Sequence, residues 1–214
     1  WYMERKSSND VRPVANRSND DDGVRRAIDE MHALGLKVML KPHVDVEDGT
    51  WRAQIVPTSP DRWFESYAAF MDHYVVMAAE KKVEMLCVGT ELASMSGSRY
   101  AAPWASLVAR IRSRYPGLLT YAANGVDAAD ELTSVSFWGQ VDLIGADVYT
   151  PLTDKTNPTR QELVAAWRRN RNGQDMVAAF SNVQKAYGKP FIFTEVGYRR
   201  GDGTNKTPWD WGLS

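Results

Sequence analysis

Glu91 and Glu195 are the residues whose type and placement most directly suggest chemistry. Each follows a short, nearly continuous apolar run, Val83 to Val88 in the first case and Phe191 to Thr194 in the second. A carboxylate at the end of a buried strand is costly unless it is paired or has work to do. Two carboxyl groups facing one another are what hydrolysis of a glycosidic bond requires. They stand about 5–5.5 Å apart when configuration is retained and roughly 6.5–9.5 Å apart when it is inverted. One of the two must stay protonated near neutral pH, which burial or a negative neighbour achieves. Plainer roles exist for both. Glu91 also suits a helix start stabilised by the helix dipole, and Glu195 suits an ion pair with Arg199 or Arg200.

Other polar residues repeat this placement. His43 and Asp45 follow the run Lys37 to Lys41, Asn124 follows Leu118 to Ala122, and Asp147 and Tyr149 follow Val141 to Ala146. Functional side chains at the C-terminal ends of many strands mark the mouth of a parallel barrel. His43 there reads either as a sugar contact or as a hydrogen-bonded core histidine, and Asp147 either touches sugar or bonds backbone at its strand end. His43 with Asp45 supplies two potential metal ligands and no third close by, so no metal site is expected. Trp209 and Trp211, in the Gly- and Asp-containing stretch from Gly201, suit stacking on the apolar faces of sugars or packing as a lid. Trp1 suits the same part. Trp63, Trp104 and Trp167 fall on helix faces and read as core, and Trp138 precedes its strand, at the opposite end of the barrel.

The elements that must position these groups alternate. Between the five apolar runs lie amphipathic helices. One carries Val24, Ala27, Ile28, Met31 and Leu34 and stops at Gly35. A long one starts at Ser59-Pro60 with the face Trp63, Tyr67, Phe70, Met71, Tyr74 and Met77. Another opens at Pro103, a short one covers Ala128 to Leu132, and Thr159 with Glu162 forms a capping box opening a helical region that ends at Gly188. Such alternation predicts right-handed βαβ units and a parallel sheet. A doubly wound sheet would carry a Gly-rich phosphate turn, and neither GxGxxG nor a P-loop motif occurs. The expected fold is therefore α/β, a (β/α)8 TIM barrel, with residues 1–214 forming a single domain. Five strands are recognisable, Trp1 to Met3 suits the tail of a preceding one, and a typical barrel takes roughly 250 residues. The span is thus expected to lack the first strand or strands and the last.

Composition narrows the partners. With 26 basic and 27 acidic residues the net charge is −1, and 43% of residues are apolar. No basic stripe of the kind a nucleic-acid binder carries is present; the densest cluster, Arg168, Arg169 and Arg171, reads as a solvated helix face. No apolar run approaches the 18 or so residues of a membrane span. Cys87 is the only cysteine, so no intrachain disulfide is possible, and its apolar neighbours mark it as a buried core residue. The opening Trp-Tyr-Met suggests a cut inside a larger protein, which leaves localisation open. The sequons at Asn16 and Asn205 are short enough to arise by chance.

Four segments together, in this order, carry a resemblance: Lys41-Pro42-His43-Val44-Asp45, Cys87-Val88-Gly89-Thr90-Glu91-Leu92, Ile144-Gly145-Ala146-Asp147-Val148-Tyr149-Thr150-Pro151-Leu152, and Phe193-Thr194-Glu195-Val196-Gly197-Tyr198. The second and fourth resemble the strand-4 and strand-7 motifs of the clan of retaining barrel glycosidases with paired glutamates. The full set resembles glycoside hydrolase family 113, the β-mannanase-like family. The resemblance implies a double displacement, with Glu195 as nucleophile, Glu91 as acid/base and Tyr149 hydrogen-bonded to Glu195. It implies an oligo- or polysaccharide substrate, β-1,4-mannan cleaved in the endo mode, and no cofactor. Thr90 is a departure, since many clan members carry there an Asn that contacts the sugar 2-hydroxyl. Another β-glycan, an exo mode, or a non-catalytic carbohydrate-binding barrel are the competing expectations.

Overall fold

The computed structural model describes residues 1–125, 130–210 and 212. Its centre is a five-stranded, wholly parallel sheet. The strands are β2 (Met39–Leu40), β4 (Met85–Thr90), β5 (Leu118–Asn124), β6 (Leu143–Val148) and β7 (Phe191–Val196), paired in that order. Helices α2 (Pro60–Glu80), α3 (Ala101–Arg112), α4 (Asp130–Ser134), α5 (Arg160–Ala166) and α6 (Met176–Tyr187) occupy the crossovers, and α1 (Asp21–Ala33) precedes β2. The sheet curls as part of a (β/α)8 barrel. Two short strands, β1 (Tyr2–Met3) and β3 (Asp45–Val46), pair separately and in parallel. The three inner strands β4, β5 and β6 are almost continuously buried, while at the edge β7 leaves Phe193 and Val196 exposed.

β2, β4 and β6 start two residues later than the apolar runs suggest, β5 and β7 start where expected, and β4 to β7 each run two residues further. Val83, Val141 and Lys37 lie in the approaches, and Val83 N–H still closes the end of α2 by donating to Ala78 O at 2.9 Å. Pairing then continues through Thr90, Asn124, Asp147 and Glu195. Ladder hydrogen bonds are made by backbone, so polarity of the side chain does not end a strand. Asn124, Asp147 and Glu195 therefore sit on the last rungs of the sheet rather than in loops beyond it, and Glu91 directly follows the last rung of β4.

Helix placement follows the apolar spacing, with three differences. α3 opens at Ala101, two residues before Pro103, because proline is tolerated throughout a first turn. The region after the Thr159 capping box is two helices, not one. α5 ends at Ala166, and α6 starts afresh under Asp175, whose carboxylate accepts from Ala178 N at 2.8 Å. Arg168, Arg169 and Arg171 are exposed, as expected, but lie in the turn between these helices rather than on a helix face. Of the short helix expected over Ala128 to Leu132, residues 128 and 129 lie outside the described residues, and the described helix is α4.

The long helix α2 ties the core to the sheet. Its face Trp63, Tyr67, Phe70, Met71, Tyr74 and Met77 is buried, and Tyr67 Oη donates to Val88 O at 2.9 Å. Trp104 stacks on Phe137 at 4.3 Å and donates its indole N–H to Met95 O at 2.7 Å. These aromatic contacts buttress β4 and β5 from behind. Close packing reaches the backbone at Gly145 of β6. A Cβ there would come within 2.5 Å of Tyr121 O and 2.8 Å of Thr194 Cγ2, so only glycine fits. Cys87 is fully buried, and burial pushes its thiol up to about 11, which leaves it inert.

Candidate active site

Glu91 occupies the first position beyond β4, and its backbone is unusual. Its φ is +49°, in the left-handed region that non-glycine residues seldom adopt. Such a conformation costs about 1–3 kcal/mol and persists only where the surroundings hold it. Glu91 N–H donates to Ala122 O at 2.8 Å, and Leu92 N–H donates to Tyr121 Oη at 2.7 Å. Both anchors lie on β5. The carboxylate has three donors: Asn124 Nδ2 reaches Oε1 at 2.8 Å, while Trp51 Nε1 and Arg52 Nη1 approach Oε2 at 3.3 and 3.4 Å. Arg52 is in turn gripped by Asp45, with Nη2 to Oδ1 at 2.5 Å, which spends much of its positive charge away from Glu91.

Glu195 lies on the far side of the sheet's mouth, on β7, and its setting is different. Tyr149 Oη donates to Oε2 at 2.9 Å and Lys41 Nζ to Oε1 at 2.5 Å, and His43 Nε2 stands 3.9 Å from the same oxygen. Burial alone would raise this carboxyl, but Lys41 and the Tyr149 hydroxyl bring it below the ordinary glutamate value. Its cationic partner is thus Lys41, which comes from the other edge of the sheet.

Lys41 also holds Asp147, at 2.8 and 2.9 Å to the two carboxylate oxygens, and Thr194 Oγ1 donates to Asp147 Oδ1 at 2.7 Å. Asp147 is only 1% exposed, and burial pushes it up to about 6 against the opposing pull of Lys41 and Thr194. Its oxygens face the side chains of Lys41 and Thr194, a setting neither of the two expected roles named. His43 is half-buried; burial, with Arg52 and Lys41 nearby, lowers it to about 4, so it is neutral at ordinary pH.

The structure brings Glu91, Asn124, Asp147, Tyr149, Glu195 and His43 to one end of the sheet. It leaves the expected aromatics apart. Trp209 is 46% exposed, and among the described residues it has no hydrogen bond or ring contact to this group. Trp211 lies outside the described residues. Trp1 packs its ring against Phe70 and Tyr74 of α2 and so serves the core. Trp63, Trp104 and Trp138 are fully buried. Asn205 is also buried, with Nδ2 donating to Lys155 O at 2.9 Å, so in the folded chain its sequon is spent on fastening one loop to another.

Sequence reasoning passed over four residues here: Lys41, Trp51, Arg52 and Glu131. Lys41 had a signal, a cation closing a buried run just before Pro42, and could have been found. Trp51 and Arg52 sit in an aperiodic loop and had none. Glu131 belongs to α4, of which five residues are described, too few for any periodicity to mark it.

A parallel sheet with helical crossovers and acidic groups on its C-terminal rungs defines the class, a (β/α)8 barrel with its functional end at the C-terminal face. Within that class the sequence model of Glycoside Hydrolase Family 113 matches residues 1–214, and the chain belongs to that family. Two solved structures of the family are similar over the whole of this chain. One is the GH113 β-mannanase AaManA from Alicyclobacillus acidocaldarius, in complex with ManMIm (32% identity, TM-score 0.84, 100% of this chain and 63% of that one). The other is a GH113 β-1,4-mannanase (32% identity, TM-score 0.82, 100% and 64%). The chain therefore spans less than two thirds of these relatives. A GH26 β-mannanase from Bacteroides ovatus shares the fold at 18% identity and a TM-score of 0.52, over 82% of this chain and 56% of that one. No curated protein matches the chain.

Proposed function

We propose that this chain carries the catalytic centre of a retaining β-glycosidase, with Glu195 as nucleophile, Glu91 as acid/base and β-1,4-mannan as substrate. The observation that carries the proposal is the unequal setting of the two glutamates. Glu195 is held by Lys41 and Tyr149 in a way that favours its ionised, nucleophilic form. Glu91 is oriented mainly by a neutral amide, Asn124, with its nearest cation already engaged by Asp45. Two carboxyls in contrasting environments are what separate acid and nucleophile roles demand.

In the first step Glu195 Oε attacks the anomeric carbon as the bond to the leaving oxygen breaks, and that oxygen takes the proton from Glu91. In the second, water attacks the same carbon and gives its proton to Glu91, and Glu195 departs as carboxylate. Tyr149 and Lys41 keep Glu195 aligned and lower its cost of ionisation. The neutral His43, half-buried beside Glu195, is placed to accept or donate one hydrogen bond to a sugar hydroxyl. Mannan as substrate is supported by family membership and by the β-mannanases among the similar structures. Thr90 offers no amide where many clan members carry Asn, which weakens the analogy with the clan's glucan-cleaving members.

The test is reducing-sugar release from β-mannan, β-glucan and xylan by the protein, beside Glu91→Gln and Glu195→Gln. Release from mannan by the parent and not by either variant is the expected result. Release from another glycan would keep the mechanism and remove the substrate. Undiminished release by folded Glu195→Gln would remove the mechanism.

A further inference from the structure

Behind Glu91 lies a third acidic side chain that the mechanism above does not use. Glu131, on α4, is 2% exposed, and the partners found for its carboxyl among the described residues are all uncharged. Its carboxyl is met by neutral donors: Asn124 N–H at 2.7 Å on Oε2, and Ser96 Oγ at 3.1 Å together with Tyr121 Oη on Oε1. A buried acid of this kind is expensive, and burial pushes it up to about 7 even with those hydrogen bonds opposing.

What the group does is visible in where its partners lead. Tyr121 Oη, while donating to Glu131, accepts the N–H of Leu92, the residue directly after Glu91. Asn124, whose backbone Glu131 holds, gives its side-chain amide to Glu91 Oε1. One carboxyl thus fastens both the peptide that follows Glu91 and the amide that orients its side chain. Glu91 needs such fastening, because its left-handed backbone is not one it would hold unaided. A simple core role would not require both partners to converge on one residue.

We propose that Glu131 is a positioning residue for the acid/base: through Tyr121 it fixes the turn at Glu91, and through Asn124 it fixes the orientation of the Glu91 carboxyl. The inference rests on Glu91 being the acid/base. Replacement by glutamine keeps the size and an acceptor for Asn124 N–H. It turns an N–H toward Tyr121 Oη, which then faces two donors and loses its own acceptor, so the Leu92 anchor is disturbed.

The test uses the dependence on leaving group. An activated aryl glycoside such as a 2,4-dinitrophenyl β-mannobioside leaves without protonation, whereas a manno-oligosaccharide does not. For Glu131→Gln, kcat/KM on the oligosaccharide should fall on the order of 10- to 100-fold, within the usual worth of a placed general acid. On the aryl glycoside it should fall less than about threefold. Tyr121→Phe, which removes the link to Leu92 without touching Glu131, should show the same split, and it carries the test if Glu131→Gln does not fold. Equal losses on both substrates, or no loss on either, would overturn the proposal. Glu91→Ala run in parallel separates the two levels. If it lacks the leaving-group dependence, the acid/base assignment fails. If it shows that dependence and the other two variants do not, only the role of Glu131 fails.

Discussion

Replacing Lys41 by methionine tests the charge arrangement at the mouth independently of any substrate. Lys41 is 10% exposed and lies between Asp147, 1% exposed, and Glu195. Removing one partner of a buried pair leaves an uncompensated charge and costs about 3–5 kcal/mol. Asp147 stands at about 6 against an ordinary value of 3.8. At about 1.36 kcal/mol per pKa unit, that is ~3 kcal/mol of penalty for its ionised form with Lys41 present. A carboxyl raised on folding gives its stabilisation below its unfolded pKa and loses it as pH rises through the folded value. Without Lys41 the folded value climbs further, so the penalty grows above pH 6 and vanishes where Asp147 is protonated in both proteins. Glu195 adds a smaller contribution of the same sign, discounted because a third of it is exposed. Urea denaturation of the parent and Lys41→Met at pH 5 and pH 8 is the assay. The expected deficit is about 3–5 kcal/mol at pH 8, shrinking to roughly 1 kcal/mol at pH 5. A deficit below about 1 kcal/mol at pH 8, or the same deficit at both values, would refute the reasoning.

Other perturbations have equally definite outcomes. Tyr149→Phe removes a hydrogen bond that lowers Glu195, so the acidic limb of kcat/KM against pH should move upward, and the rate at pH 6 should fall about tenfold or more; an unmoved limb would count against Glu195 as the ionised partner. Gly145→Ala forces a Cβ against the Tyr121 carbonyl and Thr194, both in flanking strands, and should cost roughly 2–3 kcal/mol in thermal or urea unfolding. Trp51, 48% exposed, donates to Glu91, so Trp51→Ala should lower kcat about tenfold while changing stability by less than about 0.5 kcal/mol. A matching loss of stability would show that Trp51 holds the loop rather than the carboxylate.

The parts of this molecule that are local could be read from the chain. The face of α2 repeats at helical spacing from Trp63 to Met77, Thr159 and Glu162 form their capping box within one turn, and Gly188 ends α6 at a φ of +61°. The two glutamates were legible for the same reason, because each closes a buried run. What escaped is what depends on distant partners. Lys41 meets Asp147 and Glu195 across 106 and 154 residues, and no local pattern encodes such a meeting. The pairing of β3 with β1 rests on two residues in each strand, too few for any alternation to register. The break between α5 and α6, by contrast, carried a local signal that was not read: Asn170, Asn172 and Gly173, the last at a φ of +76°, before Asp175 caps a new start. Glu131 lies in the weakly marked stretch Ala128 to Leu132, where nothing local signals its contacts with Tyr121 and Asn124.

The most direct test of the central claim is covalent trapping. A 2-deoxy-2-fluoro-β-mannosyl fluoride slows both steps, yet its fluoride departs without acid assistance, so a retaining enzyme accumulates its glycosyl-enzyme. Intact-mass measurement followed by peptide mapping should find one added fluoromannosyl group on Glu195 and none on the Glu195→Gln variant. An adduct on any other residue, or none at all from a protein that cleaves mannan, would contradict the assignment of Glu195 as the nucleophile.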